Sequence, residues 1–250
     1  MRLFCTFSIL FSLLCSTLSA QKSDSLRLRN AEVFRPSQLI APAVLVGAGI
    51  TGVTIPAVQK LDTKIDECFT YPKLKADNIV QYLPLVSVYG LKLSGVPSRH
   101  DYLESTVVIA TSYAAMGIMV NGVKYTVKRR RPDSSARNSF PSGHTATVFM
   151  GAEILRTEYR DASPWIGVAG YVVAAGVGVC RIYNHRHYMT DVLAGSGIVI
   201  LSARIGYWML PLNRKLFGLN RSKRGISIAP SPLYDCQTRA VGGAVALRFQ

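Results

Sequence analysis

Eight residues in the second half of the chain have the types and spacing to do chemistry on a phosphate ester. They fall in three clusters: Lys124–Pro132, Pro141–His144 and Arg181–Asp191. In the first, Lys124 is followed by six residues and then Arg131-Pro132, with Lys128, Arg129 and Arg130 between. A lysine ammonium and arginine forks suit the equatorial oxygens of a phosphoryl group. An isolated basic run beside an apolar segment is commonly a flank that sets membrane topology, or a nucleic-acid patch. In the second cluster, Pro141-Ser142-Gly143-His144 precedes an apolar run. Ser142 can cap a helix there, whose first free N–H groups form an anion site, and His144 in the first turn can serve as a proton donor. The third is Arg181, five residues, His187, three residues, Asp191. On a helix, residues four apart share a face. Asp191 can then hold one ring nitrogen of His187 as N–H and leave the other as a nucleophile. The other two histidines, His100 and His185, have no such company, and His185 and Arg186 read as peripheral.

Taken in order, Lys124-x6-Arg131-Pro132, Pro141-Ser142-Gly143-His144 and Arg181-x5-His187-x3-Asp191 resemble the motifs of the type 2 phosphatidic acid phosphatase and vanadium haloperoxidase superfamily. The resemblance covers roughly Leu103 to Leu212. It departs in one place: Cys180 stands before Arg181 where the family often has serine, which removes one hydroxyl from the phosphate contacts. The resemblance implies a fold and a set of roles. The fold is all-α, a membrane-embedded bundle whose motifs converge at one membrane face. His187 attacks phosphorus, Asp191 orients and stabilises His187, and His144 protonates the leaving oxygen. Lys124, Arg131, Ser142, the Gly143 N–H and Arg181 hold the phosphoryl oxygens. Fixed cations would take the place that Mg²⁺ has in kinases, so neither a metal nor another cofactor is expected.

Composition is consistent with a membrane setting. The chain has 250 residues, 49% hydrophobic and 17% charged, with a formal net charge of +15 and a mean hydropathy of +0.22. A charge of that sign suits nucleic acid or anionic lipid. The apolar segments favour lipid, so nucleic acid is not expected as a partner and a lipid phosphate is.

The elements that must position the clusters follow from the apolar runs. Leu39–Val58, Leu103–Val123, Pro164–Tyr183 and Asp191–Leu212 are long enough to cross a bilayer. Ile79–Val96 is weaker, because Gln81, Pro84 and Lys92 interrupt it, and reads as re-entrant or interfacial. Ser142–Leu155 begins a shorter helix that extends towards Tyr159. Frequent glycine and alanine in the last two runs allow close helix packing. About five to six helices are therefore expected.

Residues 1–20 carry a positive start, an apolar core Leu3–Leu14 and a small-residue ending Leu18-Ser19-Ala20. They read as a signal peptide cleaved after Ala20, or as an uncleaved anchor. Cys68, Cys180 and Cys236 remain after Ala20, too few and too scattered for a disulfide framework. Residues 21–102 form an N-terminal helical region, 103–212 the phosphatase core, and 213–250 a basic segment and tail. In the tail Ala244–Phe249 can pair with Ile226–Ala229. The expected location is a bacterial-type inner membrane, with the site on the exported face and Arg214 and Lys215 inside. The rival functions are a soluble exported acid phosphatase of the same superfamily, a vanadium haloperoxidase, and a non-enzymatic binding protein.

Overall fold

The computed structural model describes residues 33–69, 74–219, 226–234 and 241–249. The export signal expected at residues 1–20 lies outside them. A 3-10 turn, Pro36–Leu39, leads into α1, Ile40–Thr54. The break after α1 is chemical: Pro56 has no N–H to continue the ladder, and Ile55 before it is extended at φ −106°, ψ 113°. Pro56 instead starts α2, Pro56–Glu67, an amphipathic helix. The run expected from Leu39 to Val58 is thus split.

Two short helices follow, α3 at Asp77–Val80 and α4 at Leu83–Leu93. Then come α5, Tyr102–Val127, α6, Gly143–Tyr159, α7, Pro164–Tyr183, and α8, Met189–Leu216. Asp101 caps α5 by accepting the Glu104 N–H at 2.7 Å. Proline opens α7 at its N-terminal turn. After α8, strands β1, Ile226–Tyr234, and β2, Val241–Phe249, pair antiparallel with Ile226 opposite Phe249 and Tyr234 opposite Val241. The all-α bundle expected from the sequence is therefore followed by a two-stranded appendage, in which Ala244–Phe249 and Ile226–Ala229 lie on the two paired strands.

Helix α8 is the axis of the bundle, with α1, α5 and α6 packed on it; α6 in turn packs on α4 and α7. Glycine permits the closest of these approaches. A Cβ on Gly52 would lie 2.0 Å from Thr190 Oγ1, and one on Gly49 would lie 2.7 Å from the Ala194 backbone nitrogen. The polarity is inverted relative to a water-soluble domain. Ile118 is 76% and Val172 66% exposed, whereas Glu153, Glu158, Lys92 and Ser112 are buried. Four segments, Pro36–Thr54, Tyr102–Val127, Pro164–Tyr183 and Met189–Leu216, are long and apolar enough to cross a membrane.

The bundle has two ends with different polar clusters. At one end, Glu158 accepts hydrogen bonds from the His100 N–H at 3.2 Å, Ser105 Oγ at 3.2 Å and Tyr207 OH at 2.8 Å, and His100 Nδ1 lies 2.8 Å from it. Lys92 completes this cluster, donating to the His100 carbonyl at 2.6 Å and Ser105 Oγ at 2.7 Å. The other end holds the three motif clusters. Gln38, before α1, bonds Trp208 near the end of α8, and Gly52 near the end of α1 abuts Thr190 at the start of α8. The stretch 77–93 also runs from end to end, since Asp77 meets Arg181 while Lys92 meets His100. Helix α4 is 11 residues, about 16 Å, and the four residues of α3 add about 6 Å, so the two helices together remain shorter than a bilayer core.

Candidate active site

At the motif end, α5 delivers Lys124, the α5–α6 connection Arg131, the α6 start Ser142, Gly143 and His144, the α7 end Arg181, and the α7–α8 junction His187 and Asp191. Arg131, His144 and Arg181 line one cavity of about 430 Å³, together with Leu74, Lys75, Asp77, Asn78, Asn184 and Arg186. Among the described residues, Arg131 Nε and Arg181 Nε are buried with no hydrogen-bond partner. Two orphaned guanidinium N–H groups at one cavity are strong donors awaiting an anion.

His187 is 1% exposed. It is not on the helix that carries Asp191, as the four-residue spacing predicts; it precedes α8, which starts at Met189. Its Nδ1 lies 2.7 Å from the Ser139 carbonyl, while Asp191 Oδ2 is 3.9 Å away. A carbonyl only accepts, so Nδ1 carries the proton and Nε2 keeps its lone pair. The orienting contact is thus a backbone carbonyl, with the carboxylate close behind it. Burial pushes the His187 imidazole below its ordinary range, against the opposing pull of the Asp191 carboxylate. A neutral ring with a bare Nε2 is the nucleophilic form.

Asp191 is held from several sides. It accepts from Arg129 Nη1 at 2.7 Å, from the Tyr188 N–H at 2.9 Å and from the Ser139 hydroxyl. Arg129 also bonds Thr190 Oγ1 at 2.8 Å and Asp62 Oδ2 at 2.9 Å, and stacks over the Tyr188 ring at 4.2 Å. Asp62 of α2 in turn accepts from the Thr190 hydroxyl. Arg129, Ser139, Asp62 and Thr190 are outside the sequence-derived set. Arg129 was in view within the basic run, but nothing there distinguished it from Lys128 or Arg130.

His144 lies in the first turn of α6, and its Nε2 is 3.0 Å from Asn78 Oδ1. Burial and the Arg181 cation push its ring down to about 4, so it is neutral in the ligand-free site at pH 7. Ser142 is the N-cap residue of α6, but its side chain caps no backbone N–H; it accepts from Thr145 Oγ1 at 2.9 Å, and its own N–H goes to the Asp191 carbonyl at 3.1 Å. Ser142 is fully buried behind the cavity. Gly143 starts the helix with open space where a Cβ would be, and N–H groups of the first turn have no intrahelical partner. Lys124 Nζ donates to the Asn138 carbonyl at 2.8 Å and faces an adjoining hollow with Asn121, Lys128 and Arg137. Arg181 Nη1 binds Asp77 Oδ2 at 2.6 Å. The two histidines set aside by sequence have partners, His185 with Asp66 at 2.9 Å and His100 with Glu158.

Apolar helices exposed to their surroundings and a polar interior define a multi-pass membrane protein; at one end it has a cation-lined cavity with the His144 imidazole, while His187 is buried outside the lining of that cavity. Residues 105–215 match the model of the PAP2 superfamily. Over 139 residues the chain is 44% identical to a lipid A 1-phosphatase of Porphyromonas gingivalis, covering 55% of this chain and 31% of that one. Over 74 residues it is 36% identical to the bacitracin transport permease protein BcrC of Bacillus licheniformis, covering 30% of this chain and 34% of the other. The chain thus spans about a third of the length of these curated relatives. A transmembrane PAP2-type phosphatidylglycerolphosphate phosphatase from Bacillus subtilis superposes with a TM-score of 0.47 at 20% identity, covering 75% of this chain and 96% of that structure.

Proposed function

We propose that this protein is a membrane phosphatase that hydrolyses the phosphate of a lipid, of the lipid A 1-phosphate type, through a phosphohistidine on His187. The observation that carries the reading is the pair of unpartnered guanidinium nitrogens, Arg131 Nε and Arg181 Nε, at the cavity that also holds His144. The identity to a lipid A 1-phosphatase supports the choice of lipid.

Phosphate oxygens dock on Arg131, Arg181 and the Gly143 N–H, with Lys124 at the edge. His187 Nε2 attacks phosphorus in line; the P–N bond forms as the P–O bond to the lipid breaks, and His144 gives its proton to the leaving oxygen. The Ser139 carbonyl keeps the Nδ1 proton in place, and Asp191 balances the positive ring. In the second step His144 takes a proton from water, whose oxygen displaces His187 and releases phosphate. Catalysis rests on fixed cations and positioning.

The membrane setting explains the amphiphilic substrate: apolar tails stay beside α5 and α7 while the phosphate enters from the end of the bundle. We place the site on the exported face of a bacterial-type inner membrane. Arg214 and Lys215 end α8 at the opposite face, where positive charge is retained inside. The cations at the site end have chemical partners of their own: Arg129 with Asp62 and Asp191, Arg181 with Asp77, Arg186 with Asp133. With an exported site, Pro36–Leu39 lies at the inner face. A signal that carries residue 21 across, cleaved or not, would leave that segment outside, so this placement requires that residues 1–20 do not carry the chain across the membrane.

The test is phosphate release from lipid phosphates by detergent-purified protein in EDTA. Wild type should remain active, and His187→Ala should lose at least about a thousandfold in kcat, because no other group can form the P–N bond. Equal release by the mutant would overturn the histidine mechanism.

A further inference from the structure

Helix α3 lies well before the segment 105–215 that matches the superfamily, yet two of its residues reach the site. We propose that α3 is a positioning element of the phosphatase site, with Asn78 fixing the ring of His144 and Asp77 fixing the guanidinium of Arg181.

Asn78 Oδ1 lies 3.0 Å from His144 Nε2. An amide oxygen only accepts, so Nε2 carries a proton and Nδ1 is left with the free lone pair. Among the described residues Nδ1 has no partner. It is then the nitrogen that gains the catalytic proton and gives it to the leaving oxygen. Asp77 Oδ2 takes Arg181 Nη1 at 2.6 Å and is approached by Asn184 Nδ2 at 3.4 Å. With one fork of Arg181 tied back, its buried Nε stays unpartnered for the phosphate. Asp77 and Asn78 line the same cavity as His144 and Arg181. Helix α3 is a single turn of four residues packed on α7 and α6, with Asp77 buried and Asn78 exposed.

The proposal rests on the phosphatase reading, and the two fail differently. The experiment is steady-state kinetics of the full chain in detergent with a lipid phosphate, across pH. Asn78→Ala should lower kcat about tenfold with KM within twofold, a part of what general acid catalysis supplies. Asp77→Asn should do the reverse, raising KM about tenfold while kcat stays within about threefold, because Arg181 holds phosphate in ground and transition state alike. Asn78→Asp restores an acceptor and adds a negative charge. It should recover most of kcat and move the alkaline limb of kcat upward. The charged groups facing His144 otherwise remain the same: Arg181 on α7, Asp77 on α3, His187 before α8 and Arg131 before α6.

A structural role alone would not give opposite kcat and KM signatures from adjacent residues, nor a shifted limb. Wild-type activity with Asn78→Ala unchanged, or with Asn78→Asp no better than Asn78→Ala, overturns the inference alone. A wild type that releases no phosphate overturns the phosphatase reading and this inference with it.

Discussion

At the scale of single residues, the site is an arrangement of charges waiting for an anion, and its proton inventory follows. His144 sits at about 4 because it is buried and faces the Arg181 cation. At pH 6 it is neutral in the free site. A dianion on Arg131 and Arg181 cancels that repulsion and adds attraction, so the ring's proton affinity rises on binding. Sulfate, which does not itself titrate at this pH, should therefore bind with proton uptake. Calorimetry in two buffers of different ionisation heat reads the uptake, and His144→Ala should bind sulfate without it. Uptake that persists in His144→Ala would assign the proton elsewhere. Arg129 makes a different prediction. It bridges Asp62 and Asp191, both buried, so Arg129→Ala leaves two carboxylates unpaired and should destabilise the fold by about 3–5 kcal/mol. A thermal melt in detergent close to that of wild type would contradict this. The residues of the proposed site that meet at one end of the bundle stand at fixed spacings in the sequence, which made them candidates. Arg129, Ser139, Asp62, Asp77 and Asn78 were not, because they reach the site from other elements through packing that no local spacing encodes.

At the scale of elements, the start of α8 is the keystone of the site, and α1 braces it. Thr190 bonds both Arg129 and Asp62, and Gly52 of α1 leaves no room for a side chain against it. Gly52→Ala should push Thr190 off its partners. Activity should fall about tenfold, in line with the cost of displacing a supporting group, while the helix content by circular dichroism is unchanged. Full activity in Gly52→Ala would show that α1 has freedom to shift. Apolar runs revealed the long helices because length and lack of charge carry that signal; Pro164–Tyr183 was read with its observed ends. The run from Leu39 to Val58 does contain a helix long enough to cross, but it ends at Thr54, because Pro56 and the extended residue before it act locally on the backbone while the hydropathy continues through them. The stretch 77–93, which Gln81, Pro84 and Lys92 mark as broken, is divided into α3 and α4. Tertiary contacts nonetheless carry it the height of the bundle, with Lys92 paid for by carbonyls and Ser105.

At the scale of the whole molecule, the apolar exterior and polar interior fix an orientation that labelling can read. Cys68, just after α2, is exposed at the site end. In a variant whose other cysteines are serine, a membrane-impermeant maleimide should label Cys68 from the exported side of intact spheroplasts. Labelling only after lysis would put the site inside. Apolar length alone identified a membrane bundle, but not which face held the chemistry, because face depends on an odd or even number of crossings. That number turned on the one segment, 77–93, whose composition is mixed.

The far end of α8 carries a last consequence. Its 28 residues extend about 42 Å, from the Asp191 carboxylate to the departure point of the strand pair β1–β2. The chain thus leaves α8 at the end of the bundle opposite the motif clusters. On the proposed reading, a partner held by the strand pair and a phosphate held at Arg131 and Arg181 would never meet, and any signal between them would have to travel the length of the bundle.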